Sequence, residues 1–233
     1  MFIRITKWYD FLNHFLSLGC DLYWRHQLVH SIDQIPGQQL RFLDLAAGTL
    51  DVCQALQKRF PQGSILALDA AFPMIQTGLN KMQPPNFLGL CADAKVLPIP
   101  DESIDYVTIA FGIRNITPRE IVYNEVLRIL VPGGKLCILE FGSGKQTIWG
   151  GLYNLYLDYV LPQFGRLISG DNQAYKYLSD SIKSFPKAQD LQTEILLAGF
   201  HRVTFRPLSS GIACLHFATK TPNCALTQKR YIS

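Results

Sequence analysis

Three elements, a loop of small residues, an acidic residue and an Asp-Ala turn, are spaced to suit the recognition of an adenosine. Asp44 sits in an apolar run, Phe42-Leu43-Asp44-Leu45, that opens into a loop of small residues, Ala46-Ala47-Gly48-Thr49. A loop of this kind between a strand and a helix lets backbone amides approach a ligand, and Gly48 is its point of closest approach. About 20 residues further on, as in dinucleotide sites, Asp69 closes Leu66-Ala67-Leu68-Asp69, where a carboxylate can accept from both hydroxyls of a ribose. Cys91-Ala92-Asp93-Ala94 supplies a third element. Asp93 can accept from the exocyclic amine of an adenine, and Ala94 offers the ring a backbone amide. Each has a plainer alternative: backbone relief at Gly48, an N-cap for a helix from Phe72 at Asp69, a capping turn at Asp93. All three fall at the ends of consecutive strands, which favours the binding reading.

Those strands follow from the pattern of apolar residues. Short apolar runs at 40–45, 64–68, 86–91, 106–110 and 135–139 alternate with helical periodicity near 50–60, 72–83 and 117–130. Strands separated by single helices imply βαβ units, hence an α/β fold with a parallel sheet covered by helices on both faces. Val131-Pro132-Gly133-Gly134 reads as a helix stop and a tight turn into the fifth strand. A helix at 188–198, capped by Gly199, precedes strands at about 200–206 and 212–219. Pro207 to Gly211 is too short a connection for anything but an antiparallel pair.

Phe2, Ile5, Tyr9, Leu12 and Leu16 mark an amphipathic helix over 2–17. Trp24, Leu28 and Ile32 mark a second helix from Asp21, ended by Pro36-Gly37. The segment 141–185 is rich in Trp and Tyr and too long for an ordinary crossover, so it reads as a helical insertion or lid. The expectation is one domain over 1–233: an N-terminal helical cap (1–36), a cofactor-binding half (40–140), the insertion (141–185), a C-terminal sheet half (186–220) and a polar tail (221–233).

Composition narrows the function. Of 233 residues, 48% are hydrophobic and 17% charged, which excludes disorder and suits an oily substrate. The net charge of +4 is spread without a Lys/Arg block, so nucleic acid is not an expected partner. The six cysteines include no C-x-x-C pair and no His at ligand spacing, so no metal site is expected and the thiols read as reduced. Arg4, Lys7, Asp10, Asn13 and His14 interrupt the N-terminal apolar stretch, which denies it a signal peptide's core, and no run approaches about 20 apolar residues. The expected location is the cytoplasm.

These motifs, with Asp105-Tyr106-Val107-Thr108 and Leu130-Val131-Pro132-Gly133-Gly134, resemble the class I S-adenosylmethionine-dependent methyltransferases over about residues 40–140. Tyr9-Asp10-Phe11-Leu12-Asn13, Phe111-Gly112-Ile113-Arg114-Asn115, Leu139-Glu140-Phe141, Asp171 to Ile182 and Gly211 to His216 narrow the resemblance to the ubiquinone/menaquinone biosynthesis C-methyltransferases, in order over about residues 8–220. The resemblance implies a Rossmann-like, seven-stranded sheet, mostly parallel with an antiparallel C-terminal strand pair. It also implies methylation of a demethylmenaquinol or related polyprenyl benzoquinol. Asp44, Gly48, Thr49, Asp69, Asp93, Ala94 and Ala110 are the expected cofactor contacts.

Attack on a sulfonium methyl by a ring carbon needs an electron-rich phenolate. Arg114 and Asn115, just after the fourth strand, are therefore assigned to catalysis. Arg114, whose pKa is too high for a proton acceptor, steadies the phenolate oxygen, and Asn115 orients a water or the second oxygen. The alternative is that Arg114 pairs structurally with Asp93 or Glu140. Tyr9, Asn13, Tyr153 and Tyr177 are the expected substrate contacts. A polyprenyl quinol as partner implies peripheral contact with the membrane, and a homodimer is left open. The chain departs from the family at Ala47, Leu50 and Ala110, with Leu50 expected to crowd the helix start, and also at Asp21 and Gly142. Those departures keep open a non-catalytic binding homologue. A methyltransferase for another small apolar acceptor, or an oxidoreductase on the same sheet, also stays open.

Overall fold

The computed structural model describes Ser17 and residues 19–34, 37–142 and 180–222. Residues 2–16 of the expected N-terminal helix, most of the insertion at 141–185 and the tail from 223 lie outside the described residues. Within them the chain runs α1 (Cys20–His30), β1 (Arg41–Leu45), α2 (Asp51–Arg59), β2 (Ser64–Asp69), α3 (Phe72–Gly78), β3 (Phe87–Cys91), β4 (Ile104–Ala110), α4 (Arg119–Ile129), β5 (Leu130–Phe141), α5 (Ala188–Leu197), β6 (Arg202–Leu208) and β7 (Ala213–Thr219).

The seven strands form one sheet in the order β3-β2-β1-β4-β5-β7-β6. β1 to β5 are parallel, while β7 pairs antiparallel with both β5 and β6, as expected. The chain winds from β1 to one side and from β4 to the other. The switch point between those two strands opens a crevice at their carboxyl ends, where a ligand can lie.

Alternating side chains build two cores. Phe42 and Tyr106 face Trp24 and Leu28 of α1, Leu56 of α2 and Ile75 of α3. Leu43, Val107 and Ile138 face Val126 of α4 and Leu191 and Ile195 of α5. Each fully buried Leu or Ile contributes about 1.5–3 kcal/mol, so the two-sided cover holds the central strands rigidly beneath the crevice. Trp24 Nε1 donates to Ser209 Oγ at 2.8 Å, tying α1 to the β6–β7 connection.

Three boundaries differ from the expectation. β5 begins at Leu130 and absorbs the Pro132-Gly133-Gly134 bend. Gly133, at φ 80°, donates to the Lys220 carbonyl at 3.2 Å, and Lys220 donates back to Gly134 at 2.9 Å, so sheet pairing captures the turn. α3 stops at Gly78 and tightens into a 3₁₀ turn over Leu79–Lys81, in keeping with glycine's weak helix propensity. Pro207 lies inside β6, tolerated because that strand is at the sheet's edge. Among the described residues, no helix is long and apolar enough to cross a membrane.

Candidate active site

The loop after β1 is contorted. Ala46 (φ 57°), Gly48 (φ 53°) and Leu50 (φ 69°) all take left-handed backbone, at a cost of roughly 1–2 kcal/mol for each residue bearing a Cβ. Such conformations persist where the surroundings over-determine them. Here Ala47 donates to the Leu68 carbonyl at 3.1 Å, and the Gly48 amide donates to Asp69 Oδ2 at 2.9 Å. A Cβ at Gly48 would make only ordinary contact, with Met74 Cε at 3.8 Å, so the positive φ rather than crowding is what favours glycine there.

Asp69 also accepts from the Ala71 amide through Oδ1, at 2.8 Å. It does not cap the helix from Phe72, because the N-cap is Ala71 and has no side-chain bond. Each carboxylate oxygen retains a second lone pair, so two ribose hydroxyls still find acceptors. Asp93 is exposed and accepts from the Lys95 amide at 2.9 Å, making the turn that presents Ala94. The Ala92 amide donates to the Asp69 carbonyl at 3.2 Å, which joins this turn to the end of β2.

Asp44 is 1% exposed and accepts from Thr108 Oγ1 at 2.6 Å and Cys53 Sγ at 3.2 Å. Burial pushes its carboxyl up to about 6, against the two hydrogen bonds and the nearby Arg25 charge, which pull it down. Asp44, Gly48, Thr49 and Ala110 line one narrow cleft together with Ala46, Ala47 and three residues that the sequence did not single out: Arg25, Asp51 and Val52. Arg25 ion-pairs with Asp21 one turn earlier on α1, a spacing visible in the sequence. Nothing local marks Asp51 as a neighbour of Arg25.

β4 leads through Phe111, at φ 56°, into a 3₁₀ turn over Ile113–Asn115 that carries both expected catalytic residues. A Cβ on Gly112 would stand 2.6 Å from Ala46 Cβ, so this turn packs directly on the β1 loop. The Arg114 side chain is 5% exposed and pairs with Glu140, itself 1% exposed, at 2.6 Å. Its Nη1 also donates to the Phe111 carbonyl, and the guanidinium lies 5.3 Å from the centre of the Phe141 ring. Of the two partners considered, Glu140 rather than Asp93 takes the arginine. Nε remains buried with no acceptor among the described residues.

Leu50 does not crowd the cleft. Its side chain is fully buried in the core against α3 and is absent from the cleft's lining, so the family departure costs backbone strain and leaves the cleft open. Gly142 has a steric reason: a Cβ there would stand 2.1 Å from the Gly211 carbonyl oxygen. Asp21, 2% exposed, accepts from Ser17 Oγ and pairs with Arg25. Tyr9, Asn13, Tyr153 and Tyr177 lie outside the described residues. Among the described residues, no group of three His, Cys, Asp or Glu could hold a metal ion.

Comparison with known proteins adds lineage to this geometry. The profile of the ubiE/COQ5 methyltransferase family matches residues 1–220. A demethylmenaquinone methyltransferase of Thermus thermophilus is 40% identical over 219 residues, covering 93% of this chain and 98% of the relative. A ubiquinone/menaquinone biosynthesis C-methyltransferase UbiE of Syntrophotalea carbinolica is 37% identical over 218 residues, covering 93% and 91%. An S-adenosylmethionine-dependent methyltransferase from Thermotoga maritima superposes with a TM-score of 0.67 at 18% identity, covering 95% of this chain and all of that one. A phosphoethanolamine N-methyltransferase from Haemonchus contortus, solved with S-adenosylhomocysteine, superposes at 0.63 with 14% identity over 85% of this chain and 52% of the other. At these identities the last two show a shared fold.

Proposed function

This chain belongs to the ubiE/COQ5 methyltransferase family, and on that premise we propose that it methylates a ring carbon of a demethylmenaquinol or a closely related polyprenyl quinol. It is an S-adenosylmethionine-dependent methyltransferase of quinone biosynthesis. The described residues fit that cofactor. Gly48 brings bare backbone to the wall of the cleft, Asp69 keeps lone pairs for a ribose, and Asp93 and Ala94 follow beyond it. When bound, the cofactor supplies an electrophilic methyl group on a sulfonium.

The residue roles follow from chemistry. A neutral quinol ring attacks a sulfonium poorly, so the site must favour the phenolate. Buried Arg114 supplies that preference: the guanidinium stays cationic, Glu140 and the Phe111 carbonyl fix its orientation, and Nε–H has no other acceptor among the described residues. A phenolate oxygen is the acceptor it lacks, and water carries the proton away. Asn115, in the same turn, orients that water or the second ring oxygen. Thr49 and Ala110 wall the cleft, with the Ala110 methyl in place of a hydroxyl contact.

Tyr9, Asn13, Tyr153 and Tyr177 are the residues this reading assigns to contact with the quinol. Each methylene of a prenyl chain that is buried contributes about 0.8 kcal/mol. In this reading a cytoplasmic protein meets its substrate at the membrane surface, as a monomer or a homodimer. The orphaned Arg114 Nε, in the turn that follows the Gly112 contact with the β1 loop, is the observation that carries the catalytic assignment. The test is transfer of labelled methyl from S-adenosylmethionine to a short-chain demethylmenaquinol by the purified protein. Cofactor binding without methylated product would refute the acceptor, and mass spectrometry of the quinone pool in cells lacking the protein should reveal an intermediate one methyl short.

A further inference from the structure

Arg128 lies in the last turn of α4, just before the Leu130-Val131-Pro132-Gly133-Gly134 stretch, and takes no part in the cofactor or catalytic contacts described so far. Its guanidinium has five N–H donors, and all five are used. Nε and Nη2 form a two-point pair with Glu125, one turn earlier, at 2.9 and 2.8 Å. Nη2 also donates to the Leu97 carbonyl at 2.9 Å, while Nη1 donates to the Ile99 carbonyl at 2.8 Å and to Asp101 at 2.7 Å. Glu125 in turn accepts from the Leu97 amide at 2.8 Å. An isolated exposed ion pair adds little stability, but a two-point arginine pair that also captures backbone carbonyls fixes the chain it holds.

What it holds is the exit from the Asp93-Ala94 turn. The entry is fixed by the sheet, where Cys91 of β3 pairs with Asp69 of β2 and the Ala92 amide donates to the Asp69 carbonyl at 3.2 Å. Residues 92–96 therefore bridge two anchors, the end of the β2–β3 ladder and the Arg128–Glu125 pair. Between them the amides of Lys95 and Val96 close the turn on Asp93, at 2.9 and 3.1 Å. The side chains of Leu97 and Ile99 are buried in the core beneath, yet apolar burial has no direction, so the hydrogen bonds set where the segment sits along α4. Without them, the next backbone hydrogen bonds to this end of α4 are those from Glu102 and Ser103 to the Arg128 and Ile129 carbonyls.

We propose that Arg128, acting with Glu125, is a positioning residue for base recognition: by pinning Leu97, Ile99 and Asp101 to α4 it sets where Asp93 and Ala94 meet the adenine. This rests on the adenine reading of that turn and adds the residue that makes the turn selective. The side chain touches no part of the ligand and acts only through the span it anchors.

Calorimetry with two ligands isolates this role: S-adenosylhomocysteine, and S-inosylhomocysteine, in which a carbonyl replaces the adenine amine. The native protein should prefer S-adenosylhomocysteine by at least about tenfold. Arg128→Gln should reduce that preference to under about threefold while leaving S-inosylhomocysteine affinity within about threefold. In hydrogen exchange, the Leu97 amide should lose protection while β4 keeps its own. An unchanged preference, an equal loss for both ligands, or unchanged protection at Leu97 refutes the positioning role. Native protein that binds neither ligand, or both alike, would overturn the adenine reading itself and this role with it. Should Arg128→Gln fail to fold, Glu125→Ala, which frees the Leu97 amide but leaves Arg128 its carbonyl acceptors, carries the same test.

Discussion

Leu50 and Gly78 are fitted to one another. A Cβ at position 78 would stand 2.7 Å from Leu50 Cγ and 2.3 Å from the Thr49 carbonyl oxygen. The cofactor loop therefore rests on α3 through a leucine that holds left-handed backbone, and the missing side chain of Gly78 makes the room. Gly78→Ala should destabilise the protein by about 1–3 kcal/mol and displace the loop. Leu50→Gly relieves about 1 kcal/mol of strain but empties a core site, where removing a leucine costs about 2–5 kcal/mol. Its melting temperature should fall and its affinity for S-adenosylhomocysteine should not improve. A tighter-binding, more stable Leu50→Gly variant would show that the leucine obstructs the cofactor after all.

Asp69 serves the loop and the ligand at once. Asp69→Asn keeps the size but loses the charge and one of the two acceptor oxygens. Hydrogen bonds to charged groups contribute about 1.5–3 kcal/mol each, so S-adenosylhomocysteine affinity should drop roughly 10- to 100-fold in calorimetry. Unchanged affinity would return Asp69 to a purely structural role in holding Gly48 and Ala71.

Arg114 and Glu140 separate stability from catalysis. Arg114→Gln strands a buried carboxylate and should cost about 3–5 kcal/mol in urea unfolding. Combining Arg114→Gln with Glu140→Gln should recover most of that stability yet leave kcat low, with cofactor affinity near normal. Recovery of turnover in the double variant would mean that the arginine acts only through the fold.

Asp44 sets a pH dependence with a definite sign. Its carboxyl ionises near 6 in the folded protein, against an ordinary value of 3.8, because burial opposes the charge. The neutral form is the one that folding favours. Its contribution to stability is complete below about 3.8 and is lost as the pH rises through about 6. Asp44→Asn does not titrate, so its unfolding free energy relative to the parent should shift in the variant's favour by on the order of 3 kcal/mol between pH 4 and pH 7. A pH-independent difference would show that the carboxyl is not perturbed.

His216 acts in the opposite sense. It is 2% exposed on β7, bonds the Ala188 carbonyl through Nε2 at 3.0 Å, and has no partner for Nδ1 among the described residues. Burial holds its pKa below the ordinary 6.5, so its contribution is complete above 6.5 and is lost as the pH falls through the lowered value. His216→Phe should therefore lose less stability than the parent between pH 7 and pH 5 in denaturant titrations. An equal loss in the two proteins would place the acid sensitivity elsewhere.

The order of strands and helices was legible because burial imposes periods on the chain, and the antiparallel end followed from a connection too short for a crossover. The strand-end positions of Asp44, Asp69, Asp93 and Arg114 were legible for the same reason. Their partners were not. Arg114 meets Glu140 across β4 and β5, and Arg25 reaches the cleft from a helix that precedes the sheet, 19 residues before Asp44. Leu50 read as an obstruction because sequence gives a residue's size and leaves its direction open. The left-handed turn sends its side chain into the core, and only the packing of α3 on the loop, with Gly78 as the gap, decides that direction. Local pattern thus determined the fold and the ends of the strands where chemistry belongs. Which charges neutralise one another, and which remain free for a ligand, was decided by contacts between residues far apart in the chain.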